Sequence, residues 1–262
     1  MRTVLIHHDD STLDRDVLAP WLSSFSTLAG LVVIREPVRN QLARIRRELR
    51  RSGLIGFADV VALRLYHRLR LAKSERNWEA EIRSKLGHRF SGIPRDTPRM
   101  VTSDPNGSET RQFISDCRPD LMVARCRLLL DEGVFSIPPL GTFVMHPGIT
   151  PEYRNSHGCF WALSNRDFDH VGLTLLSIDA GVDTGPVYGY FTYAYDERRE
   201  SHEVIQQRML FENLDALRDR LLEIERGEAT PIDTSGRRSA VWGQPRLTKY
   251  IRWKRDAARA EP

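Results

Sequence analysis

With 262 residues, 40% of them hydrophobic and 28% charged, the chain suits one large α/β domain, or a domain with a small appendage, and is too apolar for global disorder. A net charge of +4, with arginines scattered on helix-like segments, describes a mildly basic surface and not a nucleic-acid-binding stripe. No apolar run approaches the ~18 residues of a membrane span, the opening Met1 to Ile6 reads as a strand and not a signal peptide, and Cys117, Cys126 and Cys159 form no Cys-x-x-Cys pair. A cytoplasmic protein without disulfides, structural zinc or a membrane span is expected.

In chain order, Thr3 to His8 is an apolar run that reads as a buried strand, closing on His7-His8-Asp9-Asp10. Ser11 to Ser24 has helical spacing, with Leu13, Val17 and Trp21 on one face and Ser11 as a cap. A second strand, Leu28 to Ile34, stops at Glu36-Pro37. The composition then changes over residues 38–90, where Arg39, Arg44, Arg46, Arg47, Arg50 and Arg51 crowd one stretch. Gly53 breaks it before an apolar helix, Ile55 to Leu71, and a further helix, Glu75 to Leu86. Helices in succession inside a β-α-β pattern predict an insertion on a doubly wound sheet. A lid, a dimer face and a membrane-surface patch are its three readings; the first two are preferred, because its apolar residues are numerous enough to want a protein partner.

Strands follow at Arg99 to Thr102, Pro119 to Ala124 and Thr142 to Met145, with a helix between the first two ending near Cys117. After a helix at Cys159 to Asn165 come strands at Val171 to Ile178 and Pro186 to Tyr195. Their connection, Asp179 to Gly185, contains glycines that permit positive φ. One long helix is predicted over Arg199 to Gly227, and residues 229–262 form a tail packed on the 1–228 domain.

Reactive residue types concentrate between Val144 and Gly158, beginning at a strand's C-terminal end, where open α/β sheets place ligands. His146 is the first polar residue out of the core. If Asp183 folds against it, the two form a His–carboxylate dyad able to move protons near neutral pH. At the first strand, Asp9 and Asp10 stand where a phosphate site would want glycines, so they suit a ligand's ammonium or hydroxyls.

The run His146-Pro147-Gly148-Ile149-Thr150-Pro151-Glu152-Tyr153-Arg154 is followed by Gly172-Leu173-Thr174 and by Asp179-Ala180-Gly181-Val182-Asp183-Thr184-Gly185-Pro186. Together they resemble the folate-dependent formyltransferases, which act on glycinamide ribonucleotide, methionyl-tRNA and sugar amines. Weaker similarity at Asp104-Pro105-Asn106 and Pro119-Asp120 extends the resemblance to roughly the central half of the chain. It implies a Rossmann-like fold and 10-formyltetrahydrofolate as co-substrate. His146 would steady the oxyanion and handle the proton, with Asp183 beside it. Arg125, Cys126, Arg127, Leu128, Asp179, Gly181 and Val182 would lie along the pterin. Tyr153, Arg154, Asn155 and His157 would line the acceptor side.

The family's Asn, two residues before the His, is replaced by Val144. Residues two apart share one face of a strand, so an Asn there would sit beside His146. Losing an oxyanion donor typically costs on the order of 10²–10³ in rate. Three readings stay open: a substitute donor such as Asn155, Ser156 or a backbone N–H; another reaction on a related ligand; or weak or lost activity. Glycinamide ribonucleotide is disfavoured by Asp9 and Asp10. Transfer RNA is disfavoured because the residues after Gly227 are too few for the extra β-barrel of methionyl-tRNA formyltransferases. The expected function is N-formylation of a small-molecule amine, an amino sugar or amino-acid derivative. A fold-mate repurposed for other acyl transfer or hydrolysis, and a non-catalytic binding protein, are the alternatives. No nucleic acid is expected, and a second copy is left open as a partner.

Overall fold

The computed structural model describes residues 1–90 and 92–259, with the backbone alone for 38–44. The side chains of Arg39 and Arg44, and residues 260–262 of the tail, lie outside the described residues. Seven strands form the main sheet: β1 (Arg2–His8), β2 (Thr27–Ile34), β3 (Arg99–Thr102), β4 (Leu121–Arg125), β5 (Thr142–Pro147), β7 (Leu173–Ser177) and β8 (Val187–Phe191). They lie in the order β3-β2-β1-β4-β5-β7-β8. The first five are parallel, and β7 and β8 add an antiparallel edge beyond β5. The fold is therefore α/β, Rossmann-like and mostly parallel. A strand pair of two residues each, β6 (Arg154–Asn155) with β9 (Val241–Trp242), stands apart from the sheet.

The central strands are unbroken apolar runs because helices cover both faces. Alternate residues of β1 feed separate cores: Leu5 packs with Trp21, Val123 and Phe143, while Val4 and Ile6 pack with Val32, Ile114 and Met122. Gly30, inside the apolar run of β2, allows a close approach of α4 (Ser108–Cys117). A Cβ there would meet Cys117 Sγ at 2.6 Å. Chain order runs outward from β1 to β3 and then outward again from β4. The switch point between β1 and β4 thus opens a crevice at the strands' C-terminal ends.

Several elements depart from expectation. The helix after β1 contains a wide π turn at Asp14–Leu18 before α1 (Ala19–Ser23). The Ser11 hydroxyl donates to the Asp14 carboxylate at 2.6 Å instead of capping a backbone N–H. In the insertion, α2 (Val38–Tyr66) breaks at Gly53, whose φ of 67° no helix accommodates. A π turn then joins it to α3 (Ala72–Arg89). Leu54, Ile55, Leu65 and Leu69 of the insertion are exposed. The predicted helix over 199–227 is two, α7 (His202–Phe211) and α8 (Leu214–Glu225). Asn213 interrupts it by donating its side-chain amide to the carbonyls of Met209 and Thr192. Past β9 the chain forms α9 (Leu247–Arg259), which buries Tyr250 and Trp253. Among the described residues no helix is long and apolar enough to cross a membrane.

Candidate functional site

His146 lies near the end of β5, 4% exposed, beside the crevice. Its Nε2 donates to the carbonyl oxygen of Tyr153 at 2.7 Å. A carbonyl only accepts, so this bond places a proton on Nε2 and turns Nδ1 the other way. Nδ1 faces Asp183 Oδ2 at 3.5 Å, an ion-pair separation that is long for a hydrogen bond. Asp183 is held in turn by the backbone N–H of Asn155, 2.7 Å from its Oδ2.

The segment after β5 folds tightly enough to bring its own carbonyl back to His146. Gly148 and Gly158 make this possible, since a Cβ on Gly148 would meet the Gly158 Cα at 2.8 Å and His146 Nε2 at 3.1 Å. Three non-glycine residues around the dyad, Asn155, His157 and Asp183, have φ of 76°, 54° and 51°. Such backbone persists only where the surroundings over-determine it. Part of that constraint is visible: Arg154 donates through Nη1 to the Val182 carbonyl at 3.1 Å, joining the His146 loop to the Asp183 loop.

A cavity of about 130 Å³ opens where β4, β5 and β7 end. Cys126, Leu128, Val144 and Ile178 make its wall, and Asp179, Gly181, Val182 and Asp183 its rim. The rim is ordered by Asp179, whose Oδ1 accepts from the Gly181 N–H and the Thr184 hydroxyl. Burial pushes the Cys126 thiol up to about 11, so it is an apolar wall group and not a nucleophile.

The remaining predicted residues separate by location. Arg125 is drawn to Asp14 at 3.1 Å and to the Met145 carbonyl, away from the cavity wall. Arg127 pairs through Nη2 with both oxygens of Asp10, at 2.6 and 2.7 Å. Both guanidinium groups are thus engaged within the protein, and of residues 125–128 it is Cys126 and Leu128 that line the cavity. Asp9 is likewise taken up by Arg35 at 3.0 Å, whereas Asp10 lines a cavity. Tyr153 is engaged as well. Its ring is buried and its hydroxyl donates to Asp167 at 2.8 Å, so what it offers the site is its backbone carbonyl. Asn155 does not replace the missing donor, because its amide is committed to the Trp242 carbonyl.

Sequence reading missed a second cavity of about 310 Å³, on the other side of the first strand's loop. Asp10, Glu75, Glu79 and Glu203 line it, with His67 and Trp78. Behind it, His157 Nδ1 and His202 Nε2 stand 3.5 and 3.4 Å from Glu203 Oε1. Burial lowers the pKa of His157, favouring the neutral ring. The adjacent His202-Glu203 pair was the signal available, but it lay within a segment read only as a helix.

A family model described as formyl transferase matches residues 93–221. A methionyl-tRNA formyltransferase of Rhodococcus erythropolis is 30% identical over 168 residues, which is 62% of this chain and 52% of that protein. One from Kosmotoga olearia is 33% identical over 97 residues, 37% of this chain and 30% of the relative. The chain thus spans about half, or less, of the length of the curated relatives it matches. In fold, it resembles phosphoribosylglycinamide formyltransferase from Anaplasma phagocytophilum, with a TM-score of 0.55 at 14% identity over 94% of this chain and 99% of that one. The matched stretch, just under half of the chain, carries β4, β5, His146 and Asp183, and by it this chain is similar to the formyltransferase family.

Proposed function

We propose that this protein transfers a formyl group from 10-formyltetrahydrofolate to the primary amine of a small molecule, such as an amino sugar or an amino-acid derivative. The observation that carries the reading is the pairing of buried His146 with half-buried Asp183, which stands at the edge of an apolar cavity. The folate fits that cavity in kind: Leu128, Val144 and Ile178 offer flat apolar contact, and the ordered 179–182 rim offers backbone polar groups. When bound, the folate supplies the formyl carbon.

The chain's own residues then have defined work. The Tyr153 carbonyl fixes the His146 ring, leaving Nδ1 to take the proton that the attacking amine loses. Asp183 steadies the resulting imidazolium, and the Asn155 N–H keeps the carboxylate in place. The acidic cavity past Asp10 supports an amine acceptor over a phosphorylated one, since among the described residues no Lys or Arg lines it. Val144 favours one second reading, a related acyl transfer or hydrolysis in which the oxyanion is met by another donor. Ser156, which has no hydrogen-bond partner among the described residues, follows Asn155, whose N–H holds Asp183, and is the hydroxyl to test for that part.

A non-hydrolysable 10-formyltetrahydrofolate analogue tests the proposal. At about 100 times its Kd it adds ~2.7 kcal/mol to the folded state, a readily measured rise in Tm. His146→Ala should keep that rise and lose formylation of any amine the wild type accepts. No rise at high concentration would sink formyl transfer from folate, and turnover surviving in His146→Ala would sink the role of the dyad.

A further inference from the structure

The structure assigns a second, unrelated chemistry to α7: we infer that His157, His202, Glu203 and Gln206 form a binding site for a divalent transition-metal ion of the Zn²⁺ type, opening into the acidic cavity. The inference is independent of formyl transfer.

Its geometry comes first. One nitrogen each from His157 and His202 and one oxygen from Glu203 all lie within 4.8 Å of one another. Two of the separations are 3.4 and 3.5 Å. Ligands about 2.0–2.1 Å from a tetrahedral zinc are spaced by roughly 3.3 Å, so the donors need only small movements. They arrive from two elements. His157 directly precedes α6 (Gly158–Ser164), and the other residues lie in the first turn and a half of α7.

The partners of Glu203 point the same way. Its side chain meets His157, His202 and Gln206, and no Lys or Arg pairs with it among the described residues. His202 is 2% exposed, wedged against Phe160 and Tyr250, so its ring cannot swing out to water.

Gln206 supplies a separate observation. Its amide nitrogen sits 3.3 Å from both His157 Nδ1 and Glu203 Oε2, while its oxygen Oε1 is buried without a hydrogen-bond partner. A buried orphan acceptor costs about 1–3 kcal/mol. Turning the amide over places that oxygen among the other donors and completes four ligands of the borderline N/O kind that Zn²⁺ takes. Access is provided as well. Glu203 itself lines the second cavity, whose other carboxylates, Asp10, Glu75 and Glu79, favour entry of a dication.

Tag-free protein stripped with a chelator, then titrated with Co²⁺ at neutral pH, decides the matter. The expected result is one Co²⁺ per chain, with visible ligand-field bands of tetrahedral intensity that Zn²⁺ abolishes by competition. Because His202 packs in the core, its removal also disturbs the fold, so Glu203→Gln and His157→Ala carry the assignment. Each should keep the wild-type circular dichroism and weaken Co²⁺ by upward of ~100-fold, beyond what loss of an outer partner costs. Wild-type protein without bands at stoichiometric Co²⁺, or equal binding by Glu203→Gln, overturns the site.

Discussion

Val144 faces the apolar cavity from the strand that carries His146, two residues away and on the same side of the sheet. Its neighbours across the ladder are Ala124 and Leu176, so the position is apolar on both flanks. An amide placed there would project a donor toward the space beside His146. If the proposed transfer is native but short of a donor, Val144→Asn raises kcat by about tenfold or more with little change in acceptor KM, because the gained bond exists in the transition state alone. Steady-state kinetics on a formylated amine read this directly. A loss would mean that the oxyanion is held elsewhere and that the cavity is built around valine. Ser156→Ala then becomes the informative variant, with a fall in kcat expected under that outcome.

At the scale of elements, the site depends on a strand far away in the chain. Trp242 of β9 stacks on Tyr153 at 5.4 Å and on Trp161 at 5.0 Å between ring centroids, and its indole N–H donates to the Glu152 carbonyl. Nearby, Arg237 holds Glu152 through two bonds of 2.9 and 2.6 Å. These contacts grip residues 152–155, which supply both the carbonyl that orients His146 and the N–H that orients Asp183. Trp242→Ala should cost about 3 kcal/mol of stability. At a temperature where the variant remains folded, it should lose far more activity than stability, because loosening the loop by an ångström misaligns the dyad. Equal activity per folded molecule would show that the loop holds itself. This dependence was hidden in the sequence for a physical reason: a pair of two-residue strands has no hydrophobic period to read. By contrast β1, β2, β4 and β5 were legible as buried apolar runs, and His146 was legible because it interrupts one at its end. The break at Asn213 was not, since the acceptor that draws its side chain out of helical register belongs to Thr192 on a different element.

Across the whole molecule, two cores share one sheet, and polar groups are buried where the crevice opens between β1 and β4. His7 is one of them, 1% exposed, with its Nδ1 against the His8 carbonyl. Burial lowers its pKa, against smaller opposing effects of that carbonyl and of Asp14; burial acts in the same direction on His157. In the unfolded chain both would titrate near 6.5. Between that value and the lower native one, the unfolded state binds more protons, so stability rises with pH and is lost on acidification below about 6.5. Each histidine contributes a slope of at most about 1.4 kcal/mol per pH unit. The carboxylates act in a different window. At Asp10 and Asp167 burial is outweighed, by Arg127 in one case and by His170 with Tyr153 in the other, leaving both below the ordinary carboxylate range. Their stabilisation is lost only as pH falls under about 4. Denaturant melts of chelator-treated protein at pH 7.5, 6.5 and 5.5 should therefore show a falling unfolding free energy at constant m-value. His157→Gln, which cannot take up the proton, should flatten part of that fall. A level profile down to pH 5 would mean that both rings accept protons in the native state, and that the crevice admits more water than its packing implies.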